Sequence, residues 1–232
     1  MKPKPIIITV TVIIGILICS FTLAEQKFRL FSFDEKNALK EWQEKIFKGR
    51  VLYAVNLETK EGYLTAYSKS SSSGIFNMLS FNPNKTPMVS WKWKVVKFPD
   101  KDKKEGKRGE STWIEKDDYA VRFYIIFPGI CFTTTKSLEY IWDKELPKGT
   151  IMTSPYFKNI KLIVLESGEK DLGNWVSEER NVYEDFRNAF GKEHKPKSAG
   201  AIAIMTNSNN TLSTAEAQYD EIKVGYKKDE PK

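Results

Sequence analysis

Apolar and polar residues alternate along most of this 232-residue chain, which is the pattern of β-strands with one buried face. In the clearest strand, over residues 87–96, polar positions alternate with four large apolar ones, Val89, Trp91, Trp93 and Val95. Further strands are predicted at 51–57, 63–67, 75–79, 118–127, 138–142, 159–165, 174–177, 199–205 and 215–226. Many short strands separated by turn residues predict an all-β fold, namely a β-sandwich of the jelly-roll type.

Two segments depart from this alternation and predict short helices. Residues 34–47 place apolar side chains at helical spacing, at Ala38, Leu39, Trp42 and Ile46. Asn181 and Glu184 form a capping box that begins a second helix, and Gly191 ends it. The predicted fold is therefore a β-sandwich with two short helices.

The N-terminal segment has the pattern of an export signal. Lys2 and Lys4 precede the apolar run at residues 6–18, and the small residue Ala24 suits a cleavage site. An uncleaved membrane anchor over residues 6–24 is the alternative, since a span needs about 20 apolar residues. A lipid-modified Cys19 is a third reading, although Ile18 before it is large. The expected location is the periplasm or the exterior, with membrane anchoring only if the segment is retained.

Length and composition indicate one domain with its own core after cleavage. Residues 25–226 suit a single sandwich domain, and residues 227–232 form a polar tail. Loss of residues 1–24 removes two lysines and lowers the formal charge from +7 to +5. Acidic residues are mixed among the basic ones, whereas a nucleic-acid protein concentrates basic charge in a stripe. The sequence therefore predicts no nucleic-acid partner.

The chain lacks the residues of most catalytic and metal centres. Only one cysteine, Cys131, remains after residue 24, and His194 is the only histidine. Zinc sites need three or four such ligands, so none is expected. Cys131 follows an apolar stretch and is predicted to be a small buried hydrophobe. His194 lies in a charged stretch and is predicted to be a solvated loop residue.

Aromatic residues are the strongest candidates for ligand contact, with six tryptophans and ten tyrosines. Trp91 and Trp93 share a face with two valines and are expected in the core. The candidates for stacking on a sugar ring are Tyr140, Trp142, Trp113 and Trp175. Arg122 and Arg180 are the candidates for polar contacts to the same ligand.

Asp220 is the candidate metal residue, because it shares a predicted strand face with Ile222 and Val224. A carboxylate on an apolar face needs a partner. An ion pair with Arg122 or Arg180, a structural calcium ion and exposure at a sheet edge are the three alternatives. The segment at residues 206–211 offers neutral oxygens and is interpreted as a turn. No other cofactor is expected.

The chain resembles a family of exported bacterial proteins catalogued as domain of unknown function 3047. The resemblance covers most of residues 28–225 and rests on the segments 91–93, 117–122, 140–142, 167–168, 180–186, 190–191 and 202–211. The family pattern has acidic residues where this chain has Asn207 and Asn209, which argues against a metal role there. More loosely, residues 31–42 and 219–222 are similar to the ends of galactose-binding-like jelly rolls. That similarity implies a carbohydrate-binding fold in which calcium often bridges the two ends.

These observations favour an exported, non-catalytic module that binds a glycan or a cell-envelope polymer. One alternative is a polysaccharide-active enzyme with paired carboxylates, for which the candidates are Asp117, Asp118, Asp185 and Asp220. Another is a structural partner in an envelope complex. Arg180 and Asp185 are also predicted to fix the second helix through buried polar contacts.

Overall fold

The structure is a computed structural model that describes residues 28–102 and 116–228. In chain order, the described strands are β1 (Arg29–Phe31), β2 (Gln43–Lys48), β3 (Leu52–Asn56), β4 (Tyr63–Lys69), β5 (Ser72–Phe81), β6 (Met88–Lys97), β7 (Arg122–Phe127), β8 (Lys136–Asp143), β9 (Ile151–Thr153), β10 (Ile160–Ser167), β11 (Val176–Asn181), β12 (Ala199–Asn207) and β13 (Thr214–Tyr226). One α-helix, α1 (Val182–Phe190), joins them. The export signal predicted for residues 1–24 lies outside the described residues.

The strands form two sheets, as expected of a sandwich. The six-stranded sheet has the order β11-β6-β13-β4-β3, and β1 also pairs with β13. The seven-stranded sheet has the order β2-β5-β12-β7-β8-β10-β9. All pairs are antiparallel except β8 with β10, which run parallel. The all-β sandwich predicted from the alternation is confirmed.

The core lies between the two sheets and is rich in aromatic side chains. Trp91, on β6, packs its ring 4.4 Å from Phe123 on β7 and 5.2 Å from Tyr140 on β8. Trp93 and Tyr219, on neighbouring strands, are fully buried. Burying an aromatic ring of this size stabilises the fold by about 1.5–3 kcal/mol. The expectation that Trp91 and Trp93 belong to the core is confirmed.

The predicted helix at residues 34–47 is wrong. Ala38, Lys40 and Trp42 donate backbone hydrogen bonds to residues three positions earlier, which makes a series of turns. Trp42 then packs against Phe31 and is buried. The chain extends directly afterwards into β2, which pairs with β5 and leaves Ile46 45% exposed. Helical spacing was therefore produced by a turn that buries Trp42, followed by a strand.

The second predicted helix is confirmed as α1. The side chain of Asn181 accepts a hydrogen bond of 3.1 Å from the backbone nitrogen of Glu184. Gly191 follows with φ at +115°, a conformation that glycine adopts without strain. Among the described residues, no helix has both the length and the apolar character that a membrane span requires.

Candidate functional site

The outer face of the six-stranded sheet carries two tyrosines from a single strand. In β4, Leu64 and Ala66 point into the core and are fully buried. Tyr63, Thr65 and Tyr67 alternate with them and therefore point away from the core. Tyr67 is 42% exposed, which is high for a large aromatic ring.

Trp175 lies over the same face, at the start of β11. A turn precedes it in which the nitrogen of Gly173 donates to the carbonyl oxygen of Val95 at 2.9 Å. The indole is edge-on to Tyr63, with ring centroids 5.9 Å apart, and the ammonium group of Lys94 lies 4.9 Å from the indole centroid. These contacts hold the ring in one position while 40% of the residue stays exposed. Trp175 is therefore a fixed and accessible aromatic surface.

A row of polar side chains crosses the sheet beneath these rings. Gln218 on β13 is paired with Lys94 on β6 and with Thr65 on β4. The side-chain oxygen of Gln218 is buried and has no hydrogen-bond partner in the described part of the chain. Buried polar atoms without partners are uncommon. The residue as a whole is only partly buried, so the amide group of Gln218 is a candidate partner for a ligand hydroxyl. We call Tyr63, Tyr67, Trp175, Lys94 and Gln218 the aromatic face.

Asp220 lies on this side of the sheet, opposite Lys92 in the β6–β13 pairing. Burial raises the pKa of the Asp220 carboxyl, a hydrogen bond from the backbone of Glu221 lowers it in part, and the charges of Glu221 and Asp34 raise it. One of its oxygens is buried without a hydrogen-bond partner within residues 28–102 and 116–228. Lys92 forms its ion pair with Glu221.

The predicted ion pair between Asp220 and Arg122 or Arg180 is wrong. Arg122 lies on the seven-stranded sheet and pairs with Glu139, whereas Arg180 pairs with Asp185. The described residues contain no group of three acidic, histidine or cysteine side chains arranged to hold a metal ion. A calcium ion bound by Asp220 stays a prediction, because backbone carbonyls can also supply ligands to calcium.

Arg122 is the centre of a buried charge cluster on the outer side of the seven-stranded sheet. Its guanidinium donates to Glu139 at 2.5 Å, to a carboxylate oxygen of Asp117 at 3.2 Å and to the side-chain oxygen of Asn207 at 2.9 Å. Arg122, Glu139 and Asp117 are each 4% exposed or less. The cluster is thus closed to a large ligand.

The electrostatics of this cluster reflect its burial. Burial raises the pKa of Glu139 to about 7, although the nearby Arg122 lowers it in part. Burial likewise raises the pKa of Asp117, again against Arg122. The carboxylates already accept hydrogen bonds from the guanidinium, so the cluster stabilises the packing of β7 against β8.

Asp118 holds the loop that follows β12. One carboxylate oxygen accepts hydrogen bonds from the backbone nitrogens of Asn210 and Thr211, at 2.9 and 2.7 Å. The other oxygen accepts from the side chain of Asn207 at 2.6 Å. β12 extends to Asn207 and a turn follows it, so the interpretation of residues 206–211 as a turn is correct only for their second half.

Arg180 and Asp185 connect α1 to the sandwich. The guanidinium of Arg180 donates to both oxygens of Asp185, at 2.9 and 2.5 Å. The hydroxyl of Tyr140 also donates to Asp185, at 2.9 Å. The polar contacts predicted for this pair are confirmed.

Two of the predicted stacking residues face the core. Tyr140 is fully buried, and Trp142 is 1% exposed with its indole nitrogen donating to the carbonyl of Gly168 at 2.9 Å. Neither presents a ring face to solvent, so stacking on a sugar is not proposed for them. Trp113 lies outside the described residues. Trp175 is the predicted stacking residue that the structure places on an accessible face.

The cysteine and the histidine lie apart from these groups. Cys131 is exposed, so its predicted burial is wrong. The reason is that the chain turns sharply after β7, where Ile130 is fully exposed and the Cys131 sulfur contacts the hydroxyls of Thr133 and Thr134. These hydroxyls lower the pKa of the thiol. His194 is exposed, as predicted.

Sequence reasoning missed most of the aromatic face. The alternation of Tyr63, Thr65 and Tyr67 was visible, and it could have marked an aromatic outer side of β4. The alternation over residues 87–96 also puts Lys94 on the polar side of β6, where the structure has it. Its neighbour Gln218 gave no signal, because strand order cannot be read from the alternation.

Comparisons with known proteins give a family and several distant structures. A family profile described as "Protein of unknown function (DUF3047)" matches residues 40–223. No curated protein matches the chain. Among solved structures, the chain is similar to the family 11 carbohydrate-binding module of the cellulase Lic26A-Cel5E of Clostridium thermocellum, with 12% identity, 85% of this chain and 94% of that chain covered, and a TM-score of 0.43.

Two enzymes show a similar level of likeness. One is a cellulase derived from Cel12A of Rhodothermus marinus, with 7% identity, 85% and 94% coverage and a TM-score of 0.47. The other is the xyloglucanase domain of NopAA from Sinorhizobium fredii, with 5% identity, 79% and 92% coverage and a TM-score of 0.45. At these identities and TM-scores, the likenesses say nothing about what this chain binds.

Proposed function

This chain belongs to the DUF3047 family, and because the family description names no activity, we propose a function from the chain's own surface. It is an exported, non-catalytic module that binds a glycan or another cell-envelope polymer through the aromatic face. The proposal includes export by residues 1–24, a single domain over residues 25–226 and a galactose-binding-like jelly roll.

The observation that carries the proposal is the exposure of Trp175. A tryptophan fixed by Tyr63 and Lys94, yet 40% exposed, leaves apolar area in water that a partner can cover. A sugar ring has a rigid, largely apolar face that suits such a surface. Hydroxyl groups at its rim would meet Gln218 and Lys94, which supply an acceptor and donors.

The carboxylates support binding over catalysis. Glycoside hydrolysis needs two carboxyl groups that are free to act on the scissile bond. Asp117 and Asp185 are each tied to an arginine, and Asp118 is occupied by backbone nitrogens of a loop. Asp220 is the remaining one of the four candidate aspartates, and it lies on the same side of the sheet as the aromatic face.

The test is affinity electrophoresis in gels that contain soluble polysaccharides, supplemented by pull-down on insoluble cell-wall polymers. The parent protein should be retarded by at least one polymer. Trp175→Ala should lose about tenfold in affinity or more, which is 1.4 kcal/mol at 25 °C. Tyr156→Ala is the control, since Tyr156 is 47% exposed but lies between β9 and β10, two strands of the seven-stranded sheet. Retention of full affinity by Trp175→Ala would show that the site lies elsewhere.

A further inference from the structure

The spacing of the aromatic side chains limits the class of glycan that can use the whole aromatic face. Resting on the proposed function, we infer that the ligand is an uncharged, linear and extended glycan that lies along β4 and contacts two aromatic subsites. The first subsite is the Trp175–Tyr63 pair, and the second is Tyr67.

The two subsites are separated by more than one sugar ring. Tyr63 and Tyr67 are four residues apart on the same side of one strand, which places their Cα atoms about 13 Å apart. Trp175 packs against Tyr63 and so enlarges the first subsite. A monosaccharide covers one subsite, and a linear oligosaccharide of several units is needed to contact both.

The path between the subsites is straight and polar. The pairing of β4 with β13 runs without a register shift from Lys69 to Leu64, so the two tyrosines lie along one unbroken strand. Thr65 and Gln218 lie between them, paired across the strands. The side chain of Gln218 is only partly buried, so its amide group is a candidate partner for a hydroxyl of a middle sugar of an extended ligand. A glycan that coils over the same distance would leave one subsite empty.

The charges along this path favour a neutral polymer. Lys94 lies at the first subsite, against Trp175. At the second subsite Glu216 is paired with Tyr67 on one side and with Lys97 on the other, so the path carries charges of both signs. The charge of Lys92 is already balanced by Glu221. A uniformly anionic polymer would meet Glu216 and a uniformly cationic one would meet Lys94, and like charges at close range disfavour binding.

The experiment measures dissociation constants by calorimetry in two steps. The first step compares uncharged polymers, namely hydroxyethylcellulose, mixed-linkage glucan, xylan and galactomannan, with charged ones, namely alginate, polygalacturonate and chitosan. The second step uses the oligosaccharides of each bound polymer, from the disaccharide to the hexasaccharide. We expect binding to an uncharged polymer and an affinity that rises by about tenfold or more from the disaccharide to the hexasaccharide.

Three variants test which residues produce the gain in affinity with oligosaccharide length. Tyr67→Thr keeps a strand-forming residue and should abolish the gain in affinity with oligosaccharide length. Trp175→Ala should weaken every oligosaccharide. Tyr156→Thr is the matched control and should behave like the parent.

The possible failures are distinct. If no polymer binds to the folded protein, the proposed function itself fails. If only charged polymers bind, or if the disaccharide binds as tightly as the hexasaccharide, the proposed function stands and this inference is overturned. The same holds if Tyr67→Thr keeps the full gain with length.

Discussion

Glu178 shows how a single buried carboxyl group affects stability. It points into the space between the sheets from β11, is 9% exposed and shares a hydrogen bond with Glu166. Burial, followed by the proximity of Glu166, raises the pKa of Glu178 from 4.5 to about 7. The protonated form is therefore favoured in the folded state, and ionisation at higher pH works against folding.

The expected pH dependence follows from that shift. Between pH 4.5 and pH 7 the folded protein holds a proton on Glu178 that the unfolded chain has lost, so the free energy of unfolding falls as pH rises through this window. The raised pKa of Glu139 acts in the same direction. Ionisation of Glu178 at high pH lowers the free energy of unfolding by at most about 3 kcal/mol, and Glu178→Gln should remove that loss.

Urea unfolding between pH 4 and pH 8 measures this effect. The variant Glu178→Gln should match the parent at pH 4 and be more stable at pH 8. A variant with the same pH slope as the parent would contradict the assigned pKa. Glu184→Gln on α1 is the control, since Glu184 is exposed.

At the scale of elements, α1 is held to the sandwich by one carboxylate. Asp185 joins Arg180 at the end of β11 to Tyr140 on β8. Removal of Asp185 leaves a buried hydroxyl and a partly buried guanidinium without their acceptor. The expected loss in the free energy of unfolding is about 3 kcal/mol. This is at the lower end for breaking a buried ion pair, because the side chain of Arg180 is 34% exposed.

Asp185→Ala should therefore lower the melting temperature by about 6–12 °C. Calorimetry of the variant, with Glu184→Ala as the control on the same helix, tests this. Glu184 is exposed and should change the melting temperature little. If Asp185→Ala melts like the parent but loses glycan binding, the residue belongs to a site and its structural role is refuted.

Local sequence predicted the elements better than it predicted the site. Alternation located β6 and its buried face, and the capping box located α1, because both depend on neighbouring residues. The prediction of an accessible surface at Tyr140 and Trp142 failed, because β8 is buried on both faces. Loops cover the outer face of β8, and no local pattern reveals that cover. The contact of Trp175 with Tyr63 depends on strand order and was equally hidden.

At the scale of the whole molecule, the two outer faces of the sandwich differ. The seven-stranded sheet is covered around β8 and β10 by a second apolar cluster that contains Tyr119, Ile141 and Leu162. The charge cluster of Arg122 is buried on the same side. The six-stranded sheet instead presents aromatic and polar side chains to solvent. The open face is consequently the one suited to a large ligand.

The central claim is that a glycan binds on this open face. The most direct measurement is a titration followed by nitrogen–proton correlation NMR, with the hexasaccharide of the tightest-binding uncharged polymer as the ligand. The account predicts that the indole N–H of Trp175 and the backbone amides of β4 and β6 shift, while the indole N–H of the buried Trp142 does not. Shifts centred on residues around Arg122, or no shifts at all, would contradict it.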